Sequence, residues 1–210
     1  MTINQPDELF YPNRFARIII DALEEVMGKN GLHAVLRLAK LEKYIHERPP
    51  NNLEKEFPFS ELTALQAALE EMYGPRGGRG LAIRAGRATF ENGAKGVGAL
   101  VGVGDLAFRV LPLNSKLKIG LPALARIFSQ FSDQISEVTD EGDHFVYTLE
   151  QCPMCWHRQA ETPVCYLGLG LLQEALQWVS GGHTFKIDMK TCKAQGDEIG
   201  RYIIHKNPLN

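Results

Sequence analysis

The chain has 210 residues, of which 44% are hydrophobic and 23% charged, with a formal net charge of −2. A chain of this size can bury a substantial core without disulfide or metal staples. Its near-neutral balance gives no electrostatic case for nucleic acid or an anionic membrane as the main partner.

No apolar run approaches the roughly 18 residues of a membrane span. The start, Met1 to Phe10, is polar and acidic rather than signal-like, so the expected location is the cytosol. There the four cysteines, Cys152, Cys155, Cys165 and Cys192, read as thiols or metal ligands rather than structural disulfides.

In chain order, Pro12-Asn13 opens a helix with Phe15, Ile18, Ile19, Ala22, Leu23, Val26 and Met27 at helical spacing, and Gly28 stops it. Asn30-Gly31 leads into a second helix carrying Leu32, Val35, Leu36 and Ala39. Pro49-Pro50-Asn51-Asn52 is a loop. Ser60 is the expected N-cap of a helix with Leu62, Leu65, Leu69 and Met72 on one face. Between Gly74 and Gly104 glycine is dense, with Arg76, Arg79, Arg84 and Arg87 interspersed. Neither Gly93-Ala94-Lys95-Gly96 nor Gly96-Val97-Gly98 has phosphate-loop spacing, so close helix packing with flexible joints is expected.

Ser115 to Ile135 predicts a long helix, with Pro122 either kinking it or marking its true first turn. The period then changes. Gly142 separates two short runs, and His144 to Leu149 has strand composition. A helix over Pro163 to Val179 ends at Gly181-Gly182. Phe185, Ile187 and Met189 alternate with charged residues, and Arg201 to Lys206 is the last strand expected. The fold class is therefore α+β, with helices packed on an antiparallel sheet and a long buried helix near the carboxy terminus. The expected organisation is a helical part over 1–75, a glycine-rich and helical part over 76–140, and a cysteine-bearing core over 141–210.

The chemistry concentrates in that core. Cys152-Pro153-Met154-Cys155 is a Cys-x-x-Cys pair of the kind that supplies two ligands to zinc from one turn. Cys165 and Cys192 complete a set of four, though their separation is not that of a second knuckle. Thr162 as N-cap and Pro163 as first helical residue place Cys165 at the third position of the helix, where the dipole favours a thiolate. Metal binding, redox use and inert buried thiols all remain open readings.

The helix from Pro163 is apolar nearly all round, so it should be buried. Gly168 and Gly170 leave its early surface thin enough for another backbone or a ligand to approach. Tyr147, Trp156 and Tyr166 offer aromatic walls with polar tips. These five residues are the expected ligand contacts.

Pro163-Val164-Cys165-Tyr166, the apolar helix, and Cys192-Lys193-Ala194-Gln195-Gly196-Asp197 together resemble the 4-vinyl reductase domain family. The resemblance covers the carboxy-terminal third of the chain. That family is named from bacteriochlorophyll biosynthesis and also occurs in bacterial sensors of aromatic hydrocarbons. Its fold is related to subunits of the TRAPP tethering complex and to haem-based nitric oxide sensors. The resemblance implies an apolar pocket and a homodimer. It also implies a metal site built on the positions of Cys165 and Cys192, with a glutamate where this chain has Met189 and a further cysteine where it has Gly200. Cys152 and Cys155 are expected to replace these two, giving a four-cysteine zinc site, unless the site has decayed and binds nothing.

Three functions follow as expectations. The first is a carrier or sensor for a largely apolar molecule such as a hydrocarbon, lipid, isoprenoid or tetrapyrrole, passing any signal to a separate signalling or biosynthetic partner. The second is an enzyme, or enzyme accessory, in chlorophyll-type vinyl-group reduction; it would borrow its reductant, since no nicotinamide or flavin motif is visible. The third is a dimeric assembly module without ligand. No Ser-His-Asp or His-Glu-x-x-His constellation stands out, and no catalytic residue is assigned.

Overall fold

The computed structural model describes residues 8–97, 108 and 110–210. Most of the polar start, together with Gly98 and Gly104 of the glycine-rich stretch, lies outside the described residues.

The chain begins with a short strand, β1 (Phe10–Pro12), which runs directly into helix α1 (Asn13–Leu38). Gly28, with φ of 75° and ψ of 164°, breaks α1 where the sequence predicts a stop; a side chain there would be strained, which is why the break falls on glycine. A short helix, α2 (Lys43–His46), and strand β2 (Lys55–Pro58) follow. β2 pairs antiparallel with β1, Phe10 opposite Pro58. This small ribbon is absent from the sequence reading: its strands are too short to show a period of two.

Helix α3 (Phe59–Val97) is broken only at Gly74, after which Pro75 restarts it, proline being favoured in a helix's first turn. The expected boundary between residues 75 and 76 thus falls at a joint inside one helical run. Helix α4 (Leu113–Phe131) is shorter at its end than the predicted Ser115–Ile135, because Ser132 is already extended. Strands β3 (Ser136–Asp140) and β4 (His144–Leu149) form a hairpin around Gly142. Helix α5 (Tyr166–Ser180) ends on Gly181 in the left-handed conformation. Strand β5 (Phe185–Thr191), a 3₁₀ turn at Lys193–Gln195, and strand β6 (Gly200–Pro208) complete the described chain.

The four longer strands form one antiparallel sheet in the order β3-β4-β6-β5. Phe145, Tyr147 and Leu149 of β4 and Tyr202 and Ile204 of β6 are buried on one face. His144 and His205, opposite one another across β4 and β6, lie on the other. The helices cover the buried face, and one hydrophobic cluster runs through all of these elements. The α+β class and its antiparallel sheet are as the sequence predicts.

Gly86, among the dense glycines of α3, has a packing role. An ideal Cβ on Gly86 would lie 2.0 Å from the carbonyl oxygen of Leu167, and one on Gly170 would lie 2.0 Å from that of Ile83. α3 and α5 therefore cross in backbone contact, each contributing one glycine. This is the close helix packing expected of the glycine-rich stretch.

Candidate functional site: a cysteine tetrad beside an apolar cavity

The loop after β4 carries the Cys-x-x-Cys pair, and a single face of α3 holds it. Thr63, Gln66 and Glu70 fall at positions i, i+3 and i+7, one side of a helix. The Thr63 hydroxyl donates to the Pro153 carbonyl at 3.0 Å and accepts from the Trp156 N–H at 2.9 Å. The Gln66 amide donates to the Met154 carbonyl at 3.3 Å, and Glu70 pairs with Arg158. Thr63 and Gln66 are buried. Sequence reading missed them, although two polar residues on the apolar Leu62, Leu65, Leu69 face were a usable signal.

The four cysteines converge, and all are buried as free thiols. Cys152 Sγ lies 3.5 Å from Cys165 Sγ, which lies 3.7 Å from Cys192 Sγ. The sulfurs of Cys152, Cys155 and Cys165 all fall within 4.8 Å of one another, a group that could hold a metal ion. Cys192 sits between β5 and the 3₁₀ turn, its N–H held by Asp197 at 2.8 Å.

One expectation about this cluster is corrected. Cys165 is not in the first turn of its helix: it is the N-cap residue of α5, with φ −82° and ψ 45°. Thr162 does not cap; its hydroxyl accepts from Arg79 at 2.8 Å. The Cys165 carbonyl is engaged by the Tyr202 hydroxyl at 2.7 Å, which fixes the chain just ahead of the helix. Nor is Cys165 the depressed thiol. Hydrogen bonds from Cys155 and Cys165 hold the Cys152 thiol well below the ordinary range, and the Met154 N–H adds to them. Cys165 is pushed up by its bonds to Cys152, Cys155 and Cys192 and by burial.

Asp188, adjacent to the family's glutamate position, faces away from the sulfurs. It pairs with His205 at 2.8 Å and with Lys186 at 3.0 Å, while Met189 lies opposite Tyr202. One step along the strand has changed faces, as the sequence predicts.

Next to the tetrad lies a cavity of about 740 Å³. Its walls are apolar: Ile18 and Ile19 of α1, Leu121 and Leu124 of α4, and Leu167, Leu171, Leu172 and Leu176 of α5. Tyr147, Leu149 and Tyr202 of the sheet, together with Met154, also line it. Of the five expected ligand contacts, Tyr147 and Gly168 line this space. Trp156 instead packs edge-on against Phe59, Tyr166 lies under Arg79, and Gly170 faces Ile83 across the α3–α5 crossing. The cavity and the tetrad share parts. Met154, between the two knuckle cysteines, accepts the Gly168 N–H on its sulfur at 3.0 Å, and a Cβ on Gly168 would come within 2.7 Å of Met154 and of the Tyr202 hydroxyl. Burial holds Tyr147 and Tyr202 in the neutral phenol form, with pKa values raised. Among the described residues, no helix is long and apolar enough to cross a membrane.

No family model and no curated protein matches the sequence. Solved structures do match the fold. An H-NOX protein from S. oneidensis in the Fe(II)NO ligation state aligns with a TM-score of 0.57 at 17% identity, over 92% of this chain and 99% of that one. An Fe(II) unliganded H-NOX protein from K. algicida gives 0.58 at 14%, over 93% and 96%. The H-NOX domain from Shewanella oneidensis in the Fe(II)CO state gives 0.53 at 18%, over 90% and 96%. The chain therefore has the H-NOX fold, one of the relatives expected from the sequence.

Proposed function

We propose that this protein is a carrier or sensor that holds a small, largely apolar molecule in the cavity, beside a structural zinc bound by Cys152, Cys155, Cys165 and Cys192. The observation that carries the reading is the apolar space of about 740 Å³ between the helices and the sheet, within the size range of small-molecule sites. Tyr147 and Gly168 are the expected contacts that this reading retains for the ligand. For the metal, tetrahedral zinc with Zn–S bonds of about 2.3 Å sets S···S separations of about 3.8 Å. The Cys152–Cys165 and Cys165–Cys192 separations of 3.5 and 3.7 Å are near that value, and the group whose sulfurs all lie within 4.8 Å of one another is Cys152, Cys155 and Cys165, with Cys192 reaching it through Cys165. The 4-vinyl reductase resemblance supports the same reading, and the proposal includes a homodimer, for which the exposed Ile119 of α4 and Trp178 of α5 offer apolar surface.

The structural relatives are described with Fe(II) and its gas ligands, so haem has to be tested against this lining. Haem iron takes an axial histidine, cysteine, methionine or tyrosine. No histidine or cysteine lines the cavity, and residues 1–7, 98–107 and 109 contain neither. The candidates that remain are committed elsewhere. Met154 sulfur accepts from Gly168, and the Tyr202 hydroxyl donates to the Cys165 carbonyl. Tyr11 donates to Gln134, and burial holds Tyr147 as the neutral phenol rather than the phenolate an iron would take. The residues present do not fit a ligated haem iron, and the reading is of an iron-free ligand.

The test uses Nile red, a neutral apolar dye, on freshly purified full-length protein. One saturable site is expected, and Leu124→Trp, which fills the cavity, should weaken it at least tenfold while the melting temperature stays within a few degrees. Absence of saturable dye binding to ligand-stripped protein would end the ligand reading. Independently, zinc below a tenth of an equivalent in protein purified without added metal would end the zinc reading.

A further inference from the structure

The charged side chains that line the cavity all come from one helix, whereas its uncharged polar residues, among them Thr89, Asn92 and Gln134, come from several parts of the chain. Arg14, Arg17 and Asp21 of α1, at i, i+3 and i+7, line it together with Asn51 from the loop before β2. Their charges do not balance. Asp21 is shared between Arg17 at 3.8 Å and Arg48 at 3.2 Å, and Arg48 also pairs with Glu24. Three guanidinium groups, of Arg14, Arg17 and Arg48, thus face two carboxylates, of Asp21 and Glu24. The uncompensated cation is Arg14. Its Nε donates to Asn51 Oδ1 at 2.8 Å, and among the described residues it has no carboxylate within ion-pair distance. Both of its terminal nitrogens remain available. Held by Asn51, this guanidinium offers a two-pronged fork suited to a carboxylate or phosphate.

From this juxtaposition we infer that the natural occupant is an amphiphile with a terminal anion: its hydrocarbon body fills the cavity and its carboxylate or phosphate lies against Arg14, with Arg17 adjacent. The inference rests on the proposed ligand-binding reading and narrows it. A wholly apolar hydrocarbon leaves the cationic edge unused. A small hydrophilic anion gains nothing from walls of leucine and isoleucine and would lose its hydration on entering them. Only a molecule with both characters satisfies both ends of the site. Arg14 and Arg17 are half-buried, so the head group stays partly hydrated and the attraction is moderated by solvent.

The experiment measures displacement of Nile red from ligand-stripped, full-length protein by three probes with the same chain: palmitate, hexadecyl phosphate and 1-hexadecanol. The anionic probes should displace the dye at roughly tenfold lower concentration than the alcohol, the scale of a charge-assisted hydrogen bond. Arg14→Gln should remove that advantage and leave hexadecanol unaffected, whereas Arg14→Lys should keep part of it. Palmitate outperforming hexadecyl phosphate assigns a fatty-acid-type ligand, and the reverse assigns a lipid or isoprenoid phosphate. If dye binds but all three probes compete equally, or if Arg14→Gln shifts acid and alcohol alike, the head-group inference is overturned and the apolar cavity stands. If the dye itself finds no site, the cavity reading fails, and the head-group inference fails with it.

Discussion

Replacing Gly170 by alanine tests the backbone crossing that walls the cavity. The added Cβ would sit 2.0 Å from the Ile83 carbonyl oxygen and 2.8 Å from its carbon. Ordinary C···O approach is about 3.3 Å or more, so α3 and α5 must separate by roughly an ångström. The obstacle is backbone, which cannot change rotamer, and this puts the overpacking cost near the top of the usual range, about 3 kcal/mol. Alanine's better helix propensity offsets about 1 kcal/mol of that. The net loss is about 2 kcal/mol, or roughly 4–8 °C in melting temperature for a chain of this length. Gly80→Ala is the control: it is exposed on α3, the other helix of the crossing, and a Cβ there meets nothing within 4 Å. It should gain up to about 1 kcal/mol. Circular dichroism melts of the two variants and the parent decide the matter. Gly86→Ala should behave like Gly170→Ala, and the double variant should cost less than the sum, since one separation serves both. A Gly170→Ala protein that melts at or above the parent temperature would refute the crossing.

Three further outcomes are expected. Cys165→Ser should reduce bound zinc below a tenth of an equivalent and lower the melting temperature by well over 5 °C, because metal binding of this kind contributes directly to folding; retained zinc, by mass spectrometry under native conditions, would remove Cys165 from the ligand set. Tyr11, Tyr147 and Tyr202 have raised pKa values through burial, so their contribution is complete below about pH 10, the unfolded value, and is lost as pH rises beyond it; phenolate absorbance from these residues should appear only together with loss of circular dichroism, and an earlier titration would show that they are not sealed in the core. Hydrogen bonds from Lys206 to Asp140 and from His205 to Asp188 lower both carboxyl pKa values. These groups favour the fold above about pH 4 and cease to as pH falls below it, so Asp140→Asn should flatten the acid limb of a stability–pH curve, and an unchanged limb would discount the ion pair.

The sequence by itself determined what local chemistry controls. Apolar spacing at 3.6 residues marked α1, α3, α4 and α5, since a helix buries one stripe regardless of its partner. Gly28 and Gly181 marked where helices break or end, because few other residues adopt those backbone angles. Alternation marked β5, and the faces of Met189 and Asp188 followed from it; strand composition marked β4. The concentration of all four cysteines beyond residue 150 was legible as well. Tertiary structure decided the rest. Cys165 looked like a first-turn thiolate because Thr162 and Pro163 form a sound local start signal; the bonds Tyr202 makes to the Cys165 carbonyl and Arg79 to Thr162 override it from 37 and 83 residues away. Gly86 and Gly170 carry no local mark of meeting, and only the crossing of α3 with α5 gives each a reason. The cavity is likewise a property of no single segment. It exists because helices from both ends of the chain stand off one face of the sheet, and it is cationic at one edge because, among the described residues, Asp21 and Glu24 pair with Arg17 and Arg48 and Arg14 has Asn51 but no carboxylate. Sequence patterns report which side chains seek burial; which of them leave a space between them, and which charge remains unpaired beside it, depends on contacts among residues far apart in the chain.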